Sequence, residues 1–153
     1  MHLLFSANRW ELVQNIERLI NSGTTIVIDR YYYSGCAYSA AKQDPTMDLA
    51  WCRQPEVGLP RPDICLFLDL SPEEAAKRGG FGEERYEKAE MQARVRESFA
   101  EMRQHDDEAE DIVVINAAGS VEEVEARIAK AIEERLQEID RREENGLRSV
   151  RPW

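Results

Sequence analysis

The sequence is poor in cysteine and histidine and has no long apolar run, and each shortage excludes a class of protein. Its 153 residues include 3 Cys and 2 His. The cysteines are scattered without a CxxC pair, which argues against a disulfide framework or a zinc site. No apolar run approaches the roughly 20 residues that span a bilayer, and no basic-then-apolar leader opens the chain. These shortages predict a cytoplasmic protein with reduced thiols and no membrane partner.

Basic residues are also too few for a protein that holds nucleic acid by general electrostatics. There are 20 Lys and Arg against 30 Asp and Glu, which gives a net charge of −10. A small anionic ligand stays compatible with this charge, because a few local arginines can bind phosphate in an acidic protein. Hydrophobic residues make up 42% of the chain, enough for a folded core.

Three short apolar runs predict buried strands at Thr24–Asp29, Asp63–Leu70 and Asp111–Asn116. Apolar and polar residues do not alternate in these runs, which is typical of parallel strands covered on both faces. Helical patterns lie between the runs, so the sequence predicts an α/β domain with a three-stranded parallel sheet flanked by helices. We expect this domain to cover residues 1–140 and a charged, frayed tail to cover residues 141–153.

Helix-capping signals support this alternation of elements. An apolar period of about 3.6 residues runs from His2 to Asn21, with Gly23 as a C-terminal stop. Ser71 is followed by proline and two glutamates, and Ser120 by Val-Glu-Glu; each pattern predicts a capped helix start.

Asp29 and Arg30 follow the first predicted strand, where ligands of open α/β sheets collect. A carboxylate there can hold hydrated Mg²⁺, and a guanidinium can bind phosphate oxygens. Taken alone, however, the pair is more often a strand end at the surface.

A glycine-rich segment follows the helix predicted after Ser71. It reads KRGGFGEERY from Lys77 to Tyr86. Glycines allow movement and close backbone approach while arginines stabilise phosphate charge, so the segment predicts either a closing lid or an ordinary surface loop. It is not a Walker A motif, whose G-x-x-x-x-G-K-[ST] spacing occurs nowhere in the chain.

Aromatic residues accompany arginine at a second candidate site. Phe5 and Arg9 lie four residues apart and share one helix face, which suits a nucleobase, although core packing of Phe5 with a solvated Arg9 is the commoner outcome. The tyrosine-rich segment Tyr31–Ala40 could line a ligand slot or fill space beside a sheet. The small residues of Ala117–Gly119 would let a planar ring approach, but most such loops bind nothing.

Four segments together resemble the thymidylate kinase family, particularly its eukaryotic branch. They are LLFSANRWE, VIDRYYYSGCAYSAAK, RQPEVGLPRPD and LFLDLSPEEAAKRGGFGEERYE, in that order. The resemblance runs from about Leu3 to Ile132. It implies a P-loop kinase fold and the reaction ATP + dTMP giving ADP + dTDP, a step in dTTP synthesis, with Mg²⁺ as the cofactor. Cytoplasmic, nuclear or mitochondrial nucleotide pools would supply the substrates.

The resemblance also implies roles for individual residues. Phe5 would stack on thymine and Arg9 would bind its edge. The residues implied on the dTMP side are Phe5, Arg9, Gly35, Tyr38, Ser39, Tyr86 and Gln92. The catalytic group would be Asp29, Arg30 and Arg78, with Asp29 reaching Mg²⁺ through water. On the ATP side the resemblance implies Arg78, Ala117 and Ala118. Positioning and charge neutralisation would supply the catalysis.

The resemblance is incomplete at one end. Family members begin with a strand and a glycine-rich P-loop, and neither is found before Met1. We therefore expect an incomplete P-loop kinase-like sheet and a chain that is weak or inactive by itself. The alternatives are a non-catalytic remnant that binds dTMP or pairs with another subunit, and another nucleotide kinase of the same superfamily. A homodimer is expected from the family.

Overall fold

The computed structural model describes residues 1–77, 89–142 and 146–153. Seven helices and two strands lie in these ranges, together with a 3₁₀ turn at Gln54–Glu56. The helices are α1 (His2–Asn21), α2 (Tyr32–Ala40), α3 (Leu49–Arg53), α4 (Pro72–Lys77), α5 (Ala89–Met102), α6 (Asp106–Asp111) and α7 (Val121–Asp140). The strands are β1 (Cys65–Asp69) and β2 (Ile112–Asn116). No helix of these ranges is long and apolar enough to cross a membrane.

The C-terminal end of α1 confirms the predicted stop. The Gly23 amide donates to the Ile20 carbonyl at 2.9 Å, and the Thr24 amide donates to the Leu19 carbonyl at 3.0 Å. These two bonds form a Schellman motif, in which the residue after the C-cap has a left-handed backbone. That residue is Gly23, whose φ is +83°. Glycine adopts this conformation without a steric cost, so the sequence ends the helix here.

The helix starts at Ser71 and Ser120 are also confirmed. The Ser71 hydroxyl accepts from the Glu74 amide at 3.2 Å. At the start of α7, the Ser120 hydroxyl accepts from the Glu123 amide at 3.2 Å, and the Glu123 carboxylate accepts from the Ser120 amide at 2.9 Å. This reciprocal pair satisfies two amides that would otherwise lack a partner in the first turn.

The prediction of a three-stranded sheet is wrong for the described residues. Their sheet contains β1 and β2 alone, parallel and in register from Cys65 opposite Ile112 to Asp69 opposite Asn116. No strand forms at the predicted segment Thr24–Asp29, where Val27 is 93% exposed. A strand needs neighbouring backbone groups to pair with, and in the described part of the chain none lies beside this segment.

The described chain divides into two compact units. The first contains Met1–Arg61, Ala93–Glu101 and Gly146–Trp153, and the second contains Pro62–Gln92 and Met102–Asn145. Buried side chains of the first unit include Tyr32, Tyr33, Cys36, Leu49, Cys52, Leu59, Phe99 and Val150. Those of the second include Met102, Ile112 and Ile115. The prediction of a single domain over residues 1–140 stays a prediction.

The last residues of the chain, Gly146–Trp153, belong to the first unit and contact other residues of it. The Val150 amide donates to the Leu59 carbonyl at 2.9 Å, and the Gly58 amide donates to the Val150 carbonyl at 2.9 Å. The Val150 side chain is buried, and the Arg53 guanidinium lies 5.0 Å from the Trp153 ring centre. Backbone pairing and one buried valine therefore outweigh the charge of the segment.

Candidate functional site

Arg9 of α1 is held by a buried carboxylate. Its Nε donates to Glu56 Oε2 at 2.8 Å, and its Nη2 donates to Glu56 Oε1, so the two groups form a bidentate ion pair. Glu56 is fully buried and lies in the 3₁₀ turn that follows α3. Arg9 therefore does not follow the commoner outcome of a solvated arginine, since its side chain is only 13% exposed.

Gly35 of α2 lies against the same guanidinium. A Cβ atom at this position would stand 3.1 Å from Arg9 Nη2 and 3.2 Å from Nη1. Such distances are closer than ordinary van der Waals contact, so a side chain here would require the guanidinium to shift by a few tenths of an ångström. The structure thus brings together Arg9 and Gly35, two residues for which the family resemblance implies contact with the same ligand.

The Phe5 ring stands in solvent rather than in the core. Its side chain is 58% exposed, and it lies one helical turn before Arg9 on the same face of α1. Phe5 is therefore not packed in the core, although core packing is the commoner outcome for such a residue. An exposed aromatic ring beside a fixed guanidinium offers a stacking surface and hydrogen-bond donors, the two contacts that a nucleobase accepts.

Arg30 lies over Tyr38 of α2, with its guanidinium carbon 5.1 Å from the ring centre. Its backbone is left-handed with φ +63°, a conformation that is uncommon outside glycine and concentrates at functional sites. Because Gly35 and Tyr38 are three residues apart on one face of α2, this face connects the surroundings of Arg9 with those of Arg30.

Asp29 is exposed, and its carboxylate forms no hydrogen bond or ion pair with the described residues. No group of three or more Cys, His, Asp or Glu side chains within these residues could enclose a metal ion. A lone accessible carboxylate fits a hydrated Mg²⁺ that is contacted through water, because Mg²⁺ retains several waters in nucleotide sites. The donor set therefore agrees with an indirect contact.

Ser39 is buried and bonded to a histidine. Its hydroxyl lies 2.9 Å from Nδ1 of His2, and Nε2 of His2 lies 2.7 Å from the Cys52 carbonyl. A carbonyl only accepts, so Nε2 carries a proton and donates to the Cys52 carbonyl. Nε2 also lies 3.7 Å from Glu56 Oε1. Ser39 thus connects α2 to α1, and its predicted dTMP contact stays a prediction.

Tyr31 has a buried hydroxyl that is influenced by the charges of Arg9 and Glu56. Its oxygen is buried without a hydrogen-bond partner among the described residues. Burial raises the pKa of Tyr31 to about 12; the Arg9 charge lowers it and the Glu56 charge raises it. The phenol therefore stays protonated at neutral pH and is a hydrogen-bond donor.

The residues assigned to the ATP side fall partly in the second unit. Arg127 Nη1 donates to the carbonyls of Asn116 and Ala118, at 2.7 and 2.6 Å, and Ala117 is buried. The loop after β2 is therefore fixed by α7. Gln92 lies half-buried on α5. Arg78 and Tyr86 lie outside the described residues, as does the predicted lid.

A sequence model of the thymidylate kinase family matches residues 1–128. The chain belongs to the thymidylate kinase family. It is 46% identical to the thymidylate kinase of Schizosaccharomyces pombe over 133 residues, which is 86% of this chain and 62% of that protein. It is also 46% identical to the human thymidylate kinase over 124 residues, or 81% of this chain and 57% of that protein.

A solved thymidylate kinase structure from Candida albicans shares the fold, with a TM-score of 0.78 and 36% sequence identity. The match covers 97% of this chain and 71% of that one. The Candida enzyme has a broad substrate specificity. The chain thus has the α/β architecture of a thymidylate kinase, while it spans only 62% and 57% of the length of the yeast and human relatives.

Sequence reasoning missed three residues that organise these surroundings: Glu56, His2 and Arg127. The sequence did contain an indication that Glu56 matters, because this residue lies in the RQPEVGLPRPD segment that supports the family resemblance. An acid between apolar residues and prolines suggests a buried partner for a base. His2 and Arg127 had no comparable signal, because a lone histidine or a helix arginine is usually unremarkable in sequence.

Proposed function

We propose that this chain carries the dTMP-binding side of a thymidylate kinase, an enzyme that transfers a phosphoryl group from ATP to dTMP. The arrangement of Phe5, Arg9 and Glu56 carries the proposal. An exposed ring and a guanidinium held in place by a buried carboxylate form a surface for a planar base with acceptor atoms on its edge.

The phosphoryl side of the proposal depends on Arg30. It makes no ion pair with a described residue, so its donors are available to phosphate oxygens, and its stacking on Tyr38 restricts its orientation. A ring at Tyr38 would crowd a ribose 2′-hydroxyl, which favours a deoxyribonucleotide. Magnesium bound with ATP would neutralise phosphate charge, and Asp29 would hold one of its waters.

The ATP side of the proposal has less structural support than the dTMP side. The loop at Ala117 and Ala118 would lie near adenine, and Arg78 would act from the lid. Gln92 and Tyr86 would approach dTMP. These roles come from the family resemblance, supported in the second unit by the way that Arg127 holds the loop carbonyls.

The 153 residues contain no Walker A motif. The motif supplies the backbone amides and the lysine that hold the transferred phosphate. We therefore propose that this polypeptide, tested by itself, binds dTMP with little or no turnover. A non-catalytic role in binding dTMP or pairing with another subunit is the second candidate, because the contacts around Arg9 and Glu56 lie on the proposed base side.

Two measurements test these proposals. Calorimetric titration of the chain with dTMP should show binding, with dAMP as the control nucleotide, and the Arg9→Ala variant should lose it. A coupled ADP-release assay with ATP, Mg²⁺ and dTMP should show negligible turnover. Failure to bind dTMP contradicts the proposed function. Turnover at the rate of a thymidylate kinase from another species contradicts the proposed weakness.

A further inference from the structure

Glu56 is a fully buried carboxylate, which is costly unless its charge is paired. Both of its oxygens accept from Arg9, through Nε and Nη2. The cation that pairs with it, Arg9, is the residue that the proposed function places against the base. The pairing therefore fixes the edge of Arg9 that carries Nε and Nη2.

Arg9 retains unused donors. A guanidinium has five N–H groups, and Glu56 accepts two of them. Nη1 has no acceptor among the described residues. Glu56 on one edge and the Gly35 backbone beside Nη1 and Nη2 restrict the rotation of the group. The free donors are thus held in a fixed direction before any ligand arrives.

We propose that Glu56 is a positioning residue that makes this site select a pyrimidine with a carbonyl at position 4. The inference rests on the proposed dTMP site. Thymine has an acceptor at that position and cytosine has an amino donor. A guanidinium only donates, so a fixed Arg9 that faces position 4 would bind the carbonyl of thymine and would meet the amino group of cytosine donor against donor. A mobile Arg9 can turn away from the cytosine amino group, so the discrimination falls.

The first test measures nucleotide selectivity. Titrate the wild-type chain and the Glu56→Gln variant with dTMP, and measure dCMP by displacement. Loss of the charged partner should weaken dTMP binding by about tenfold and reduce the preference for dTMP over dCMP by a similar factor. An unchanged dTMP affinity, or an equal loss for both nucleotides, overturns the proposal.

Two further variants separate positioning from general stability. Glu56→Asp keeps the charge with a shorter reach and should restore part of the preference for dTMP. Glu110→Gln removes a carboxylate that pairs with Arg142 and Arg135 in the second unit, and should leave the preference unchanged. A loss of preference in the Glu110 variant, or no difference between the Asp and Gln variants, contradicts the proposal.

A double-mutant cycle tests whether Glu56 acts through Arg9. In an Arg9→Lys background the Glu56→Gln change should have little further effect on the dTMP to dCMP preference, because the bidentate geometry is already lost. Full additivity of the two changes overturns the positioning role.

A measurement without nucleotide keeps the two proposals distinguishable. In the ¹⁵N-arginine spectrum, the Arg9 Nε–H signal, identified by its absence in Arg9→Lys, should exchange slowly in the wild type and rapidly in Glu56→Gln. Rapid exchange in the wild type overturns the positioning role. Slow exchange in a chain that binds no dTMP refutes the proposed function and the base selectivity, while supporting the contact between Glu56 and Arg9. If Glu56→Gln does not fold, Glu56→Asp provides the comparison.

Discussion

At the residue scale, the proposed base site depends on steric and ionic contacts of Arg9. The carboxylate that fixes this arginine lies 47 residues further along the chain, and the glycine beside it lies on α2. Neither partner is evident from the local sequence around Arg9. The local pattern indicated the site, and the long-range contacts determine its geometry.

Gly35→Ala should separate binding from stability. The new methyl group would stand within 3.2 Å of both terminal nitrogens of Arg9, so we expect dTMP binding to weaken several-fold. Alanine is favoured over glycine within a helix by about 1 kcal/mol, so the free energy of unfolding should not fall. Titration calorimetry and urea denaturation give the two quantities.

Gly146→Ala is the matched control, because a methyl group there meets no atom within 4 Å. It should leave dTMP binding unchanged. Equal effects of the two variants on dTMP binding would show that Gly35 does not act through Arg9.

The buried thiol of Cys36 should make stability depend on alkaline pH. Burial raises the pKa of Cys36 well above its ordinary value of 9.0, as do the charges of Glu56 and Cys52, while Arg9 and Arg53 lower it. Below pH 9 both folded and unfolded chains keep this proton. Above it the unfolded chain loses the proton first, so the free energy of unfolding falls as pH rises.

For Cys36 the expected loss is about 1 kcal/mol between pH 8 and pH 10. Urea denaturation at the two pH values measures it. Cys52 and Cys65, whose pKa values burial raises to about 11 and about 12, act in the same direction, so the comparison needs a Cys36→Ala variant. Parallel pH profiles for this variant and the wild type would refute the role of Cys36.

At the element scale, helix ends were the most predictable features of the fold. The stop at Gly23 and the starts at Ser71 and Ser120 depend on contacts between residues a few positions apart. Such contacts are present in the local sequence, so pattern and structure agree. The predicted strand at Thr24–Asp29 does not form, because a strand depends on partners distant in sequence that the local pattern does not reveal.

Ser120→Ala should destabilise α7. It removes the hydroxyl that accepts from the Glu123 amide, and a lost N-cap typically costs about 1 kcal/mol. Urea denaturation followed by circular dichroism should show this decrease. Ser120→Asp retains an acceptor at the cap and should keep most of the stability. An equal loss in both variants would mean that the cap does not contribute.

At the scale of the whole molecule, net charge is a poor guide to the site. The chain carries a net charge of −10, yet Arg9 and Arg30 supply positive charge where base and phosphate are proposed to bind. Exposure is also unevenly distributed among apolar residues. Val27 is 93% exposed and Ile115 is 6% exposed, although both occur in runs that predict buried strands.

This contrast gives a test on the whole chain. Ile115→Ala should reduce the free energy of unfolding by about 2–5 kcal/mol, because it leaves a cavity beside the sheet. Val27→Ala should change it by less than about 0.5 kcal/mol, as expected for an exposed site. Urea denaturation of the two variants is the comparison. A similar loss for both would show that Val27 is packed in solution.

The sequence by itself determined the family, the helix ends and the apolar strands β1 and β2, since these depend on local pattern or on ordered motifs. The family resemblance also predicted Phe5 and Arg9 as a base-binding pair, which stays a prediction. Only the tertiary structure decided that Glu56 holds Arg9, that Thr24–Asp29 has no strand partner among the described residues and that Gly146–Trp153 packs within the first unit. The physical reason is range: capping and periodicity act within a few residues, whereas ion pairing, strand pairing and burial depend on distant parts of the chain.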